Sequence, residues 1–170
     1  MLTLTLLFAL ALPAAPVATP GDATVVVVVR HAEKATDDPR DPALSEAGSA
    51  RAQALAQRLE GTSLDAVYAT QYRRTRLTAA PAAASAGLEV TVRPVDAANA
   101  ATYGADLARD LRALPTGSTA LVVGHSNTVP GIVAAISGQP APDMPETEYD
   151  RYTVIVLDAD GKARVFVSTY

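Results

Sequence analysis

The sequence predicts an α/β fold, a three-layer sandwich in which a mainly parallel sheet is flanked by helices on both faces and a β-hairpin closes the C-terminus. Three observations predict it. The five consecutive valines Val25 to Val29 are too apolar for a strand with one wet face and suit a parallel strand buried on both sides. Downstream, short apolar runs alternate with stretches of helical periodicity, the order expected of βαβ units. Near the end, two apolar runs flank Asp158-Ala159-Asp160-Gly161-Lys162, which supplies Asp-Gly turn chemistry.

Taken in order, residues 1–19 combine an apolar run from Leu2 to Leu12 with small residues after it, including an Ala-x-Ala at Ala9 to Ala11. This resembles a secretory signal peptide, although its start carries no Lys or Arg. It is too short to span a bilayer, which takes about 20 apolar residues. The sequence therefore predicts an exported protein, periplasmic or secreted, with no membrane span after processing; the alternative is an apolar N-terminal extension of a cytosolic protein. Pro20 and Gly21 form a linker, and 20–170 form one α/β domain.

The first strand runs over Thr24 to Val29. Residues 32–44 are polar, contain two prolines and form a loop. Ser45 opens a helix in which Ala52, Leu55, Ala56 and Leu59 recur at helical spacing and Gly61 supplies the stop. Leu64 to Ala69 is the second strand. The helix after it runs through Arg74 to about Ala86, with Pro81 expected to end or kink it. Leu88 to Val92 is a third strand, Tyr103 to Leu114 a helix and Thr119 to Val123 a fourth strand. Tyr152 to Leu157 and Arg164 to Thr169 make the hairpin.

Composition narrows the function classes. A chain of 170 residues that is 49% hydrophobic and 19% charged has enough apolar surface for one core. With 14 Lys+Arg against 18 Asp+Glu the net charge is -4, and no stretch concentrates basic residues as a nucleic-acid binder would. An anionic ligand must therefore be held by a local pocket. Without cysteine, disulfide and thiolate chemistry drop out.

The only two histidines each follow an apolar strand: His31 after Val25 to Arg30, and His125 after Ala120 to Gly124. In open α/β sheets ligands bind beyond the carboxyl ends of strands, so neighbouring strands would bring both imidazoles to one pocket. Arg30 precedes His31, and Arg73, Arg74 and Arg76 stand near the start of a helix. Guanidinium forks match phosphate oxygens, and helix N-termini add free N–H groups. For Arg73 and Arg76 a solvated helix face is the better reading.

These residues lie within Arg30-His31-Ala32-Glu33-Lys34, Leu44-Ser45-Glu46-Ala47-Gly48, Tyr72 to Ala79 and Val122 to Thr128, four collinear segments spanning 25 to about 135. Together they resemble the histidine phosphatase superfamily, also called phosphoglycerate-mutase-like. The resemblance implies that Arg30 and His31 are its Arg-His pair, with His31 the nucleophile. It further implies that Arg74 is the phosphate-binding arginine, since Thr78 and Ala79 follow at the family's spacing, and that His125 is the second pocket histidine. A neutral imidazole nitrogen attacks phosphorus in line, and water then hydrolyses the phosphohistidine. Arg30, Arg74 and a protonated His125 would neutralise the equatorial oxygens. Histidines with opposite protonation preferences predict a bell-shaped pH dependence. No cofactor is needed and no metal ligand is assigned; a metal hydrolase would require more ligands than two histidines with no H-x-x-x-H or carboxylate cluster beside either.

Ala32 stands where many members of the family have Gly, and no segment matches either common position of the general acid. Asp96 is the candidate by position, in the loop after Val92. Glu33 is a second one, with pairing to Lys34 or Arg40 as the alternative. Ser126 and Asn127 are candidate phosphate donors or helix caps. Tyr149, Arg151 and Tyr152 either line the entrance or pack at the start of a strand. The expected ligand is a small phosphorylated substrate, and the expected activity a metal-independent phosphatase, of the small single-domain kind because the connections are short. The alternative is a binding module of the same fold that holds a phospho-ligand without turning it over.

Overall fold

In the computed structural model, which describes residues 23–170, six strands and four helices form one sheet with helices on both faces. The signal-peptide reading of 1–19 lies outside the described residues. In chain order the elements are β1 (Thr24–Arg30), α1 (Glu46–Arg58), β2 (Ala66–Ala69), α2 (Arg73–Ser85), β3 (Val90–Val92), α3 (Tyr103–Arg112), β4 (Thr119–Gly124), α4 (Val129–Ser137), β5 (Arg151–Leu157) and β6 (Ala163–Thr169). The strand order is β3-β2-β4-β1-β5-β6, with the first four parallel and the hairpin β5–β6 added antiparallel to β1. No helix among the described residues is long and apolar enough to cross a membrane.

The valine run behaves as a doubly buried strand should. Val26 and Val28 face a core formed with Leu107 and Leu111 of α3 and Ile132 and Ile136 of α4. Val27 and Val29 face the opposite core, with Leu55 of α1 and Ala79, Ala82 and Ala83 of α2. Successive side chains point to opposite faces, so an unbroken apolar run serves two cores at once.

Three local details differ from expectation or explain a motif. Pro81 lies inside α2, which continues to Ser85. Proline removes one backbone bond, to the carbonyl of Leu77, an exposed residue, while Ala79, Ala82 and Ala83 anchor the helix in the core. β2 and β3 are shorter than their apolar runs, because Leu64 and Leu88 pack against the core without pairing. At the start of α1, Ser45 Oγ accepts from Gly48 N–H at 3.1 Å and Ser45 N–H donates to the Glu33 carbonyl at 3.0 Å. A Cβ on Gly48 would overlap that carbonyl, which gives the Ser-Glu-Ala-Gly stretch its steric reason.

Candidate active site

Strand register creates the site. Arg30 of β1 pairs with Gly124 of β4, and His31 N–H donates to the Gly124 carbonyl at 2.9 Å. The next residue on each strand is a histidine, and the two rings lie 5.2 Å apart, edge to face. Gly124 admits the first turn of α4 close over the strand end, where a Cβ would come within 2.9 Å of Thr128 Oγ1. On the other side of β4, Thr70 follows β2 and its hydroxyl lies 2.9 Å from His125 Nε2.

Hydrogen bonding fixes the tautomers. His31 Nδ1 lies 2.7 Å from the Ala32 carbonyl, which can only accept, so Nδ1 carries the proton and Nε2 keeps its lone pair. Arg74 Nη2 lies 3.5 Å from His125 Nδ1, and a guanidinium can only donate, which favours the His125 proton on Nε2, 2.9 Å from Thr70 Oγ1. Thr70 is held in turn by Thr75 Oγ1 at 2.8 Å. Thr78 serves the first histidine: its hydroxyl accepts from Ala32 N–H at 2.9 Å and donates to the Arg74 carbonyl at 2.7 Å. Thr78 thus joins the loop that carries His31 to the helix that carries Arg74.

Both imidazoles are buried, and burial pushes their pKa values down, His31 to about 4 and His125 to about 3. The positive charges of Arg30, Arg74 and Lys34 push the same way for both, while the Ala32 carbonyl partly opposes the shift at His31. In the site without an anion both rings are neutral, chiefly because both are buried, and the neighbouring cations add to the same effect. Burial is also the main cause of a lowered pKa at Arg74, which stacks over the Tyr72 ring at 4.3 Å and lies 3.8 Å from Asp41.

Arg30 is 1% exposed. Its Nη1 donates to the carbonyls of Pro145 at 3.1 Å and Glu148 at 3.0 Å, its Nη2 donates to Glu146 Oε2 at 2.8 Å, and its guanidinium lies 4.1 Å over the Tyr149 ring. The Nε atoms of Arg30 and Arg74 are buried without a hydrogen-bond partner. A buried, unpartnered N–H on a cation is costly and calls for an acceptor. Beside Arg74 and His125 opens a cleft of about 540 Å³ whose walls include Tyr72, Asp96, Tyr103 and Asn127.

The structure brings together Arg30, His31, Arg74 and His125, and sets Asp96 and Asn127 on the wall of the adjoining cleft. Asp96 Oδ1 accepts from the backbone N–H groups of Ala98 and Asn99, which fixes its turn. Ser126 neither caps a helix nor points a free hydroxyl at the cleft; its Oγ donates to Glu146 Oε1. Glu33 is a correction. Its carboxylate is held by Arg51 through three contacts of 2.7 to 3.0 Å, and that bond holds its pKa below the usual carboxylate range. Its partner is neither Lys34 nor Arg40 but an arginine of α1. Sequence reasoning missed Thr70 and Glu146. Thr70 carried a signal, as the polar residue directly after β2; Glu146, in an irregular segment far along the chain, carried none.

Among the described residues, no group of three or more His, Cys, Asp or Glu side chains is placed to hold a metal ion.

Comparison with known proteins agrees with this fold. The family model of the histidine phosphatase superfamily (branch 1) matches residues 26–95, which contain Arg30, His31 and Arg74. No curated protein matches the chain. Among solved structures, a mycobacterial glucosyl-3-phosphoglycerate phosphatase is similar with a TM-score of 0.65 at 16% identity, over 87% of this chain and 98% of that one. The protein histidine phosphatase SixA complexed with tungstate is similar with a TM-score of 0.62 at 18% identity, over 85% and 96%. A phosphoserine phosphatase from Entamoeba histolytica gives 0.61 at 15% identity, over 86% and 98%. At these identities the likeness is one of fold. The chain has the histidine phosphatase fold, and its sequence likeness to that superfamily runs over the segment carrying the first histidine.

Proposed function

We propose that this histidine-phosphatase-like domain is a phosphatase that hydrolyses small phosphomonoesters, or similar phosphoryl compounds, through a phosphohistidine on His31. The observation that carries this reading is the unprotonated Nε2 of a buried His31 beside two guanidinium groups whose Nε atoms lack acceptors. Nε2 attacks phosphorus, forming the P–N bond as the bond to the leaving oxygen breaks. Arg30 and Arg74 offset the charge spread over the equatorial oxygens. His125, neutral at rest, takes a proton on Nδ1 once an anion supplies the countercharge that its cationic neighbours lack.

The leaving oxygen needs a proton, and Asp96, on the cleft wall with Arg74 and His125, is proposed to deliver it. Water then attacks phosphorus, the P–N bond breaks, the water proton passes to Asp96 and phosphate leaves. The apolar leader-like residues 1–19 support an exported setting for this activity.

The test is turnover of p-nitrophenyl phosphate in the presence of EDTA. Turnover is expected in the wild type and absent in His31→Ala; activity that survives the substitution overturns the reading. In Asp96→Asn, an alkyl phosphate should lose far more rate than the aryl ester, whose leaving group departs unprotonated, and equal losses would remove Asp96 from the mechanism. Phosphate binding with no turnover of aryl or acyl phosphates would instead identify a binding module.

A further inference from the structure

We propose that Glu146 is an internal occupant of the oxyanion subsite, its carboxylate competing with a phosphoryl group for the Nε–Nη2 edge of Arg30 and for the Ser126 hydroxyl. This rests on the phosphatase reading above and adds to it a residue that sets how tightly the site holds phosphate.

A guanidinium offers paired N–H groups along its edges, and an edge matches two oxygens of an oxyanion. In Arg30 the Nη1 group is committed to the carbonyls of Pro145 and Glu148, which leaves the Nε–Nη2 edge. Nε on that edge is buried without a partner, and Nη2 is taken by Glu146 Oε2 at 2.8 Å. The other carboxylate oxygen, Oε1, accepts from Ser126 Oγ. Two oxygens of one anion thus rest on an arginine edge and a serine hydroxyl next to His31, as two oxygens of a phosphoryl group would.

The two partners differ in freedom. The Arg30 side chain is 1% exposed and the Glu146 side chain 74% exposed, so the arginine is fixed and the carboxylate can leave for water at small cost. The backbone around Glu146 need not follow. It is held by Arg30 Nη1, and by Arg151, which binds the Glu148 carboxylate at 2.6 and 2.7 Å and the carbonyls of Pro142 and Asp143 at 3.0 and 2.9 Å. Met144 is buried, and the Tyr149 ring lies under the Arg30 guanidinium and 6.2 Å from the His31 ring. Only the Glu146 side chain has to swing. A ligand that must displace it binds more weakly by the fraction of molecules in which the contact is closed, and product phosphate is released more easily for the same reason.

Inorganic phosphate is titrated calorimetrically into the wild type, Glu146→Gln and Glu146→Ala, and its inhibition constant is read in parallel from p-nitrophenyl phosphate turnover. Both variants should bind phosphate roughly three- to tenfold more tightly, the range an exposed carboxylate–guanidinium contact supports, and KM should fall with it. A merely structural role cannot produce tighter binding. Equal or weaker binding in the variants overturns the proposal, because Glu146 would then be orienting Arg30 for the anion; loss of turnover in His31→Ala would still leave the phosphatase reading in place. Absence of phosphate binding in all three proteins overturns both.

Discussion

The carbonyl of Ala32 can only accept a hydrogen bond, and that single bond decides which nitrogen of His31 is free to react. At His125 the neighbour of Nδ1 is Arg74, a pure donor, which favours the opposite tautomer. The chemistry assigned to each ring follows from its backbone and arginine neighbours more than from the ring itself. Because burial holds the two rings at about 4 and about 3, both should be neutral at about pH 6, below the ordinary histidine value of about 6.5. Nitrogen-15 NMR of the imidazoles should show a Nδ1–H tautomer for one ring and a Nε2–H tautomer for the other at that pH. An imidazolium at either position would contradict the assignment, whereas added phosphate should bring the proton onto His125.

Between elements, the connection to watch is Thr78, fully buried on α2 and bonded to the loop that follows β1. Thr78→Val keeps the shape and removes the acceptor, leaving the buried N–H of Ala32 without a partner. The expected loss is about 1–3 kcal/mol of stability by chemical denaturation, with turnover reduced at least about tenfold because Ala32 no longer holds the His31 ring, and Thr78→Ser should restore most of both. The elements themselves were largely legible in the sequence. The valine ladder, the alternation of strand and helix and the Asp-Gly hairpin each name a local conformation, and local conformation is what residue pattern encodes. The convergence of His31 with His125 was inferable because both follow strands and parallel neighbours end at the same side of a sheet. Less was readable where contacts join distant, irregular segments. Arg51 captures Glu33 across 18 residues, and Arg30 reaches Glu146 across 116, and no periodicity marks either pair. Pro81 does not end its helix, for a related reason: tertiary packing of three alanines outweighs one missing backbone bond.

At the scale of the whole molecule, every histidine of the chain lies in the site, so the pH range in which histidine alone titrates reports on the site alone. Both rings have folded values below the unfolded one of about 6.5, so the unfolded chain binds more protons through this range and stability falls as pH falls. The loss begins as pH drops through about 6.5 and continues towards about 4 at His31 and about 3 at His125. The lowered carboxylates, among them Glu33 and Glu146, lose their contributions further down, from the ordinary glutamate value of 4.5. Between about pH 6.5 and 4.5 the two groups overlap little, and the histidines should cost roughly 3–5 kcal/mol of unfolding free energy. Urea denaturation across that interval should show this slope in the wild type and a nearly flat line in a His31→Gln, His125→Gln double variant. Saturating phosphate should flatten the wild-type slope as well, since a bound anion favours the protonated rings that the empty cation cluster rejects. A double variant that kept the full slope would place the titrating groups elsewhere and break the link between the acid sensitivity of the fold and the pocket at its strand ends.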